Sequence, residues 1–333
     1  MRVLVTGGGG FLGREIVTQL LVRGESVRSF GRAAQPELGA RGVEVFQGNL
    51  ADAVAVSRAV AGCDAVIHTA AKAGVWGTWD EYFQPNVLGT KNVLAAMRRH
   101  RVPRLVYTST PSVVFNGESH AGVDESQSYG SKFPCHYPHT KALAEQAVLV
   151  AHDNQNLRVI ALRPHLIWGA GDPHLVPRIL ARASRLRVVG NGKNRVDLTH
   201  VRHAAQAHLL ALDALADPGH PAGGRAYFIS DGTPVELWDW INTLLRRLGR
   251  PPITRRISLR AAYAAGTILE ELWRALPFLP GEPPMTRFLA TELAKDHWYS
   301  ISAARQNLDY KPVANLSREM DELVGSLLDK PVR

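Results

Sequence analysis

The chain contains little cysteine, with only Cys63 and Cys135 among its 333 residues. Two cysteines cannot form a disulfide framework, and they match no metal-binding motif, so a disulfide-stabilised secreted scaffold and a cysteine-based metal site are excluded. This usage is typical of a protein from a reducing compartment. We expect Cys135 to be a buried, unreactive thiol, and we expect no metal site in the chain.

Long apolar runs are also missing. No run reaches the roughly 18–20 residues that a membrane-spanning helix needs, so no transmembrane helix is expected. Met1 leads directly into strand-like residues, without the charged segment, apolar core and cleavage site of a secretory signal. The expected location is the cytoplasm, and association with a membrane or with a protein complex stays open.

Acidic residues are outnumbered, since 39 Lys and Arg face 30 Asp and Glu and the formal net charge is +9. The basic runs at residues 98–104 and 246–256 are interpreted as solvated helix ends, and the alternative is binding of phosphates, carboxylates or an anionic partner surface. No aromatic residues interleave with these runs, so we expect no nucleic-acid binding. The hydrophobic content of 45% suits one large domain, or one domain with a smaller lobe.

The N-terminal segment combines a short apolar run, a glycine-rich turn and an amphipathic pattern. Residues 2–6 have the β-branched composition of a buried parallel strand, and Gly7, Gly10 and Gly13 follow at intervals of three. Gly7 permits a tight turn, Gly10 lets the backbone approach a pyrophosphate, and Gly13 lets helix and strand pack closely. The pattern predicts a dinucleotide site at the start of the first helix.

The second strand, predicted at residues 26–30, ends in Gly31 and Arg32. In dinucleotide folds an acidic residue at this point binds the ribose hydroxyls, whereas an arginine accommodates a 2′-phosphate. Gly31 occupies the acidic position, so the sequence favours NADP(H) over NAD(H). The alternative is that Arg32 is an ordinary arginine in a surface loop.

Further apolar runs alternate with helical patterns. The predicted strands are residues 43–46, 64–69, 105–108, 158–162 and 226–230, and a long helix is predicted over residues 79–100. This alternation predicts an α/β fold with a doubly wound parallel sheet of the Rossmann type and a smaller, mostly helical C-terminal substrate lobe. We place the cofactor domain at residues 1–163 together with about 195–231, and the substrate lobe at 164–194 and 232–333.

Tyr137 and Lys141 are four residues apart, which places them on one face of a helix. Pro138 is tolerated only in a first turn, so the helix should start near Cys135 or His136 and run to about residue 153. A neighbouring cation favours an ionised phenol, so we expect Lys141 to lower the pKa of Tyr137. Such a tyrosine can give or take a proton at a carbonyl or alcohol oxygen.

A tyrosine and lysine at this spacing are common on helix surfaces, but the expected position of this pair strengthens the prediction that it is catalytic. The carboxyl ends of parallel strands meet at one sheet edge, which would gather the glycine turn, Ala70, Thr110 and the mouth of the Tyr137 helix. Three histidines at 200, 203 and 208 match no zinc spacing and are interpreted as structural. The apolar, proline-punctuated residues 259–284 predict either a packed helical lobe or an apolar lid for a hydrophobic substrate, which could contact a membrane or partner.

Several motifs of the first half, in this order, resemble the extended short-chain dehydrogenase/reductase superfamily: Thr6-Gly7-x-x-Gly10-x-x-Gly13, His68-Thr-Ala-Ala71, Asn86-Val-x-Gly-Thr90, Tyr107-Thr-Ser-Thr110, Tyr137-x-x-x-Lys141 and Leu162-Arg-Pro164. The second half is similar to the 3β-hydroxysteroid dehydrogenase branch of that superfamily, through Pro283-Pro-Met-Thr-Arg287, Ala294-Lys-Asp-His-Trp298 and Ile301-Ser-x-Ala-Arg305 with Tyr310.

The resemblance implies roles for individual residues. Tyr137 would be the general acid, and Lys141 would be its partner and hold the nicotinamide ribose. Thr110 would polarise the substrate carbonyl where the family usually has serine, with Ser109 or Ser112 as alternatives, and Asn86 would anchor a proton-relay water. The implied cofactor-binding residues are Gly7, Gly10, Phe11, Leu12, Gly13, Arg32, Asn49, Leu50, Ala70, Ala71, Lys72, Tyr137, Lys141, Pro164 and Ile167.

Within the branch, residues 71–77, 108–113 and 162–169 resemble bacterial NADPH-dependent reductases that act on long-chain 2-alkyl-3-oxoalkanoates during olefin biosynthesis. This implies reduction of a β-keto group to a 2-alkyl-3-hydroxyalkanoate, with an apolar β-keto or β-hydroxy acid as the ligand. The alternatives are a 3β-hydroxysteroid or sterol dehydrogenase, a sugar-nucleotide epimerase and a non-catalytic cofactor sensor. The family also implies a homodimer through the helices at 79–100 and 137–153, and association with other enzymes of the pathway is open.

Overall fold

Short runs of β-branched and apolar residues form the strands of the structure, a computed structural model that describes residues 1–276 and 278–329. The strands are β1 (Arg2–Thr6), β2 (Ser26–Gly31), β3 (Glu44–Gln47), β4 (Ala65–His68), β5 (Arg104–Thr108), β6 (His120–Val123), β7 (Arg158–Pro164), β8 (Ile167–Trp168), β9 (Val188–Val189), β10 (Arg195–Val196), β11 (Thr199–His200), β12 (Arg225–Ile229), β13 (Val235–Glu236), β14 (Arg256–Ile257) and β15 (His297–Tyr299).

The helices connect these strands and make up about half of the C-terminal third. They are α1 (Phe11–Val22), α2 (Pro36–Gly39), α3 (Ala53–Val60), α4 (Trp79–Phe83), α5 (Gly89–His100), α6 (His136–Val150), α7 (Leu175–Arg182), α8 (Val201–Ala214), α9 (Leu237–Arg247), α10 (Leu259–Ala275), α11 (Arg287–Glu292), α12 (Ser302–Leu308) and α13 (Leu316–Leu328).

Seven strands form the central sheet in the order β12-β7-β5-β4-β1-β2-β3, and every neighbouring pair is parallel. All seven strands predicted for this sheet are present, including the one at residues 226–230. Strands buried on both faces need apolar residues throughout, which is why β1 carries the continuous buried run Val3-Leu4-Val5. Since the strands are parallel, their carboxyl ends share one edge.

Helices cover both faces of this sheet. On one face α1 packs against α8, and the cluster includes Ile16, Val17 and Leu212. On the other face α3, α5 and α6 pack through residues such as Met97 and Val148. The predicted doubly wound α/β class is therefore confirmed.

Two predicted helices differ in detail from the observed ones. The helix predicted over residues 79–100 is α4 and α5 joined by a π-helical turn at Gln84–Leu88. Pro85 lies in this turn and lacks the N–H that a regular α-helix requires there. The Tyr137 helix ends at Val150 rather than near residue 153, because Asp153 leaves the helix to pair with Leu157.

The C-terminal lobe is built around α7, α9, α10, α11 and α13 and a four-stranded sheet with the order β13-β10-β15-β6. Residues 164–250 contain α7, α8 and α9. The apolar stretch 259–284 forms α10 with a following irregular segment, and residue 277 within it lies outside the described residues, as do residues 330–333 of the predicted lobe. Among the described helices, none has the length and apolar character that crossing a bilayer requires.

Candidate active site

Tyr137 lies in the first turn of α6, and this N-terminal end of the helix (its mouth) is at the carboxyl edge of the sheet. Cys135 is extended, the helix begins at His136, and Pro138 occupies the first turn, as predicted. The Tyr137 ring is half-buried and lies 6.5 Å, between ring centroids, from the buried ring of Tyr82 on α4. Two helices therefore form one wall of the candidate site.

Lys141 lies one turn further into α6 and is buried. Its ammonium group donates a hydrogen bond of 2.6 Å to the carbonyl oxygen of Thr108, the last residue of β5. It also lies 4.2 Å from the centre of the Tyr107 ring. Burial lowers the pKa of Lys141 to about 7, and the Glu145 carboxylate acts in the opposite direction.

The pKa of Tyr137 moves in the direction opposite to our prediction. Burial raises it to about 12, the Cys135 thiol adds to the rise, and a hydrogen bond with the Thr110 hydroxyl acts against it. Lys141 is not among the groups that shift it, because its ammonium is directed to the Thr108 carbonyl and the Tyr107 ring. The prediction that Lys141 lowers the pKa of Tyr137 is therefore wrong, and burial is the controlling influence.

Thr110 lies directly beyond β5 and caps a short 3-10 helix, Pro111–Val114. Its hydroxyl is buried, donates to the Ser112 hydroxyl at 3.2 Å and accepts from the Ser112 backbone N–H at 3.3 Å. Ser109 is also buried, and its hydroxyl has no hydrogen-bond partner among the described residues. The structure thus brings the Thr110 hydroxyl to Tyr137, with Ser112 behind it.

Asn86 lies in the π-helical turn, and its side-chain amide joins three elements. Its carbonyl oxygen accepts from the Lys72 backbone N–H at 2.8 Å, and its amide group donates to the Lys72 carbonyl at 3.0 Å and to the Thr140 hydroxyl at 3.1 Å. Both amide hydrogens are thereby used. The side chain fixes the segment after β4 against α6, and its role as a water anchor stays a prediction.

The glycine turn has the geometry that a bound pyrophosphate needs. Gly7 has φ +73°, and a Cβ at Gly13 would lie 2.1 Å from the Gly7 carbonyl oxygen. Gly10 precedes α1 without a side-chain cap, so the backbone N–H groups at the start of α1 have no protein side chain bonded to them there. Glycine at position 13 lets α1 pack against the backbone of the turn, and the turn with the free N–H groups of α1 fits a dinucleotide.

The end of β2 carries no acidic side chain in its Gly31–Gln35 segment. Arg32 is exposed, and the Gln35 side chain accepts a hydrogen bond of 2.5 Å from the Ser29 hydroxyl. Arg14 on α1, which sequence reasoning missed, donates to the Gly9 carbonyl at 2.9 Å. Its position directly after Gly13 is the signal that could have identified it as a second cation beside the turn.

Most of the remaining predicted cofactor residues follow the carboxyl ends of the parallel strands. They are Phe11 and Leu12 in the first turn of α1, Asn49 and Leu50 after β3, Ala70, Ala71 and Lys72 after β4, Pro164 at the end of β7, and Ile167 in the short strand β8. The Asn49 side chain accepts a hydrogen bond from the Ala51 N–H at 3.1 Å. Leu166, between Pro164 and Ile167, has φ +38°, a value that non-glycine residues rarely adopt.

The three histidines interpreted as structural are bonded within the fold. His200 accepts from the Arg202 N–H at the start of α8, and His203 contacts Asp231 at 2.8 Å. His208 bonds the Thr108 hydroxyl at 2.7 Å, one residue before the serine and threonine of the site. Among the described residues no group of His, Cys, Asp and Glu has an arrangement that could hold a metal ion.

The sequence profile of the 3-beta hydroxysteroid dehydrogenase/isomerase family matches residues 4–260. The chain is 50% identical over 331 residues to the 2-alkyl-3-oxoalkanoate reductase of Stenotrophomonas maltophilia, covering 98% of this chain and 99% of that one. It is 44% identical over 331 residues to the enzyme of the same name from Shewanella oneidensis, covering 97% of this chain and 85% of the relative.

Solved structures with the same fold include UDP-glucuronic acid 4-epimerase from Bacillus cereus in complex with NAD. The TM-score is 0.76, the sequences are 20% identical, and the alignment covers 98% of this chain and 99% of the epimerase. An identity this low shows that the two chains share a fold and nothing more specific.

The buried lysine leads to a prediction about stability. Its pKa falls from 10.5 to about 7 on folding, so between these pH values the unfolded chain binds a proton that the folded chain does not. The free energy of unfolding should therefore rise with pH across this window, and Lys141→Met should remove that contribution. Thermal unfolding of the wild type and Lys141→Met across the window tests this, with the exposed Lys91→Met as control.

In this experiment the Tm difference between wild type and Lys141→Met should change in favour of the wild type as the pH rises. Lys91→Met should follow the wild type. A constant difference between wild type and Lys141→Met would contradict the lowered pKa.

Proposed function

This chain belongs to the 3-beta hydroxysteroid dehydrogenase/isomerase family, and we propose that it reduces the β-keto group of a long-chain 2-alkyl-3-oxoalkanoate with NADPH, as a step of long-chain olefin biosynthesis. As a member of this family the chain is an oxidoreductase, and members of the fold bind a nicotinamide dinucleotide. The observation that carries the proposed substrate is the 50% identity, across nearly the full length of both chains, to a relative with that activity in its name.

The cofactor residues given above would hold NADPH at the carboxyl edge of the sheet. The start of α1 would face the pyrophosphate, Arg32 would bind the 2′-phosphate, and Lys141 would bind the nicotinamide ribose. When bound, NADPH supplies the hydride that reduces the keto carbon. The geometry of Gly7 and Gly13 supports this placement, since no other residue fits the close contact at Gly13.

Tyr137 would deliver the proton. Its pKa of about 12 means that the phenol stays protonated across the physiological range, so it is ready to donate. As the keto carbon is reduced, negative charge develops on the oxygen, which is a stronger base than a phenolate. Thr110 would donate a second hydrogen bond to that oxygen and stabilise the charge. Lys141, tied to the Thr108 carbonyl, would hold the mouth of α6 in place.

The lobe offers an apolar groove for the alkyl chains. It has a volume of about 670 Å³, and its mostly apolar lining includes Leu259, Tyr263 and Ile268 of α10 with the cations Arg260 and Lys295 at its polar positions. A β-keto acid readily loses carbon dioxide, so reduction in a shielded site would protect it. A sterol would also fit an apolar groove, and the family profile favours a 3β-hydroxysteroid dehydrogenase as the second candidate.

The division of the chain follows from the same proposal. Residues 1–163 with about 195–231 would form the cofactor domain, and 164–194 with 232–333 the substrate lobe. The proposed homodimer would use the helices at 79–100 and 137–153. Val150, at the end of α6, is 87% exposed, and such an interface would cover it.

Replacing Tyr137 by phenylalanine tests the proposal directly. Tyr137→Phe should lower kcat for NADPH-dependent reduction of a 2-alkyl-3-oxoalkanoate by on the order of 100-fold or more, since general acid catalysis contributes about 10²–10⁴. NADPH binding, followed by fluorescence, should be retained. Tyr310→Phe, which loses only a hydrogen bond to the Ser230 carbonyl, is the matched control. Equal rates for wild type and Tyr137→Phe, or faster turnover of a 3β-hydroxysteroid than of the oxo acid, would reject the proposal.

The coenzyme preference depends on Arg32. Wild-type kcat/KM should favour NADPH over NADH, and Arg32→Ala should shrink that ratio by about tenfold or more, because a charged hydrogen bond contributes about 1.5–3 kcal/mol. Steady-state kinetics with both coenzymes measures the ratio, and Arg41→Ala, exposed near α1, is the control. If Arg32→Ala leaves the ratio of kcat/KM for NADPH to that for NADH unchanged, Arg32 does not determine the coenzyme preference.

A further inference from the structure

Arg178 on α7 lies beside the wall that carries Tyr137. A methyl group added at Gly74 would lie 3.3 Å from the Tyr82 hydroxyl and 4.0 Å from Nη2 of Arg178. Gly74 has φ +119°, so the chain reaches this close approach only with glycine. The Tyr82 ring in turn lies 6.5 Å from the Tyr137 ring. A guanidinium group is therefore one side chain away from the proposed proton donor.

The counter-ion of Arg178 is shared. Glu282, in the segment after α10, binds Arg178 at 3.0 Å and Arg182 at 2.9 Å. The Arg178 side chain is 43% exposed, and an ion pair this exposed contributes little to stability. If the Arg178 guanidinium moves to another carboxylate, Glu282 is still paired with Arg182. Breaking the Arg178–Glu282 pair therefore costs little free energy.

Arg178 and Glu282 are both close enough to the Tyr82 hydroxyl to affect its pKa. Burial is the main cause of the raised pKa of Tyr82, and Cys135, Glu81 and Glu282 add to it. Arg178 acts in the opposite direction. The hydroxyl itself donates to the Trp76 carbonyl at 3.0 Å and so leaves Arg178 to its carboxylate partner.

Two other arginines near the site bind their glutamate partners through more hydrogen bonds. Arg163 binds both oxygens of the buried Glu145, at 2.6 and 3.0 Å. Arg287 binds Glu270 through its side chain and also through its backbone N–H. Breaking either pair would leave a buried carboxylate, Glu145 or Glu270, without its partner, which is strongly destabilising. Among these three arginines, Arg178 alone combines a shared, partly exposed counter-ion with a position next to Tyr82.

We propose that Arg178 binds the carboxylate of the substrate and that Glu282 holds the guanidinium in position until the substrate arrives. The inference rests on the proposed function, since it names the group that recognises the acid end of the 2-alkyl-3-oxoalkanoate. A guanidinium group binds a carboxylate through two parallel hydrogen bonds, which fixes the orientation of the acid and therefore of the adjacent keto group. Arg178 then determines specificity and leaves the chemical step to Tyr137.

Lys72 is the rival cation. Its ammonium lies 3.2 Å from Glu81 and 5.1 Å from the centre of the Tyr82 ring. An ammonium group is a point charge without the paired donors of a guanidinium, so it would orient a carboxylate less strictly. The position of Lys72 directly after β4 instead suits the cofactor role given to it above.

The test compares a 2-alkyl-3-oxoalkanoate with its methyl ester, which keeps the keto group and alkyl chains but carries no charge. Arg178→Gln should lower kcat/KM for the acid by about tenfold or more, as expected for a lost charged hydrogen bond, and leave the ester nearly unchanged. Arg178→Lys should recover part of the loss. Arg185→Gln, at an exposed position three residues beyond the end of α7, is the matched control and should affect neither compound.

Several results would show that Arg178 does not bind the carboxylate. An equal loss for acid and ester in Arg178→Gln, no loss for either, or a selective loss for the acid in Lys72→Gln alone would overturn the assignment. Wild-type protein that reduces the ester but not the acid would overturn it as well. Wild-type protein that reduces neither compound would overturn the proposed function together with this inference, whereas an active wild type with an unaffected Arg178→Gln overturns this inference alone.

Discussion

The hydrogen bond from the Lys141 ammonium to the Thr108 carbonyl connects the mouth of α6 to the end of β5. Thr110 follows two residues beyond that carbonyl, and Tyr137 lies one helical turn before the lysine. This buried contact therefore helps to position both hydroxyls of the candidate site, together with the Asn86 side chain that bonds Thr140 on α6. A buried ammonium group is costly, and the low pKa of Lys141 reports that cost.

The same burial determines what the site can do. Tyr137 keeps its proton because burial raises its pKa, and a protonated phenol beside the Thr110 hydroxyl is suited to receive an oxygen that gains negative charge. The glycine turn adds a place for a nicotinamide dinucleotide at the same sheet edge, and the proposed preference for NADPH would depend on Arg32 at the end of β2. In the proposed function, the apolar lobe and Arg178 would divide the recognition of an amphipathic acid, with the alkyl chains bound by the lobe and the carboxylate by Arg178.

The central sheet could be predicted because its signals are local: each strand is a short apolar run, and the glycine turn follows β1 directly. The gathering of Thr110 and Tyr137 also followed, since parallel strands end at one edge. The direction of the Tyr137 pKa did not, because it depends on burial by residues far apart in the chain. Glu282 lies about a hundred residues from Arg178, and Gln35 fills the space beside Gly31 only after folding. Helix α8 was missed because its buried face includes His203 and His208, which an apolar pattern does not register.

The proposed function depends on direct hydride transfer from NADPH to the keto carbon beside Tyr137. Its most direct test is reduction of a 2-alkyl-3-oxoalkanoate with NADPH deuterated at C4 of the nicotinamide, on one face and then on the other, followed by mass spectrometry of the hydroxy acid. We predict that one of the two labelled coenzymes, and not the other, delivers a single deuterium to C3 of the product. A product without deuterium from either coenzyme, or no hydroxy acid at all, would contradict the account.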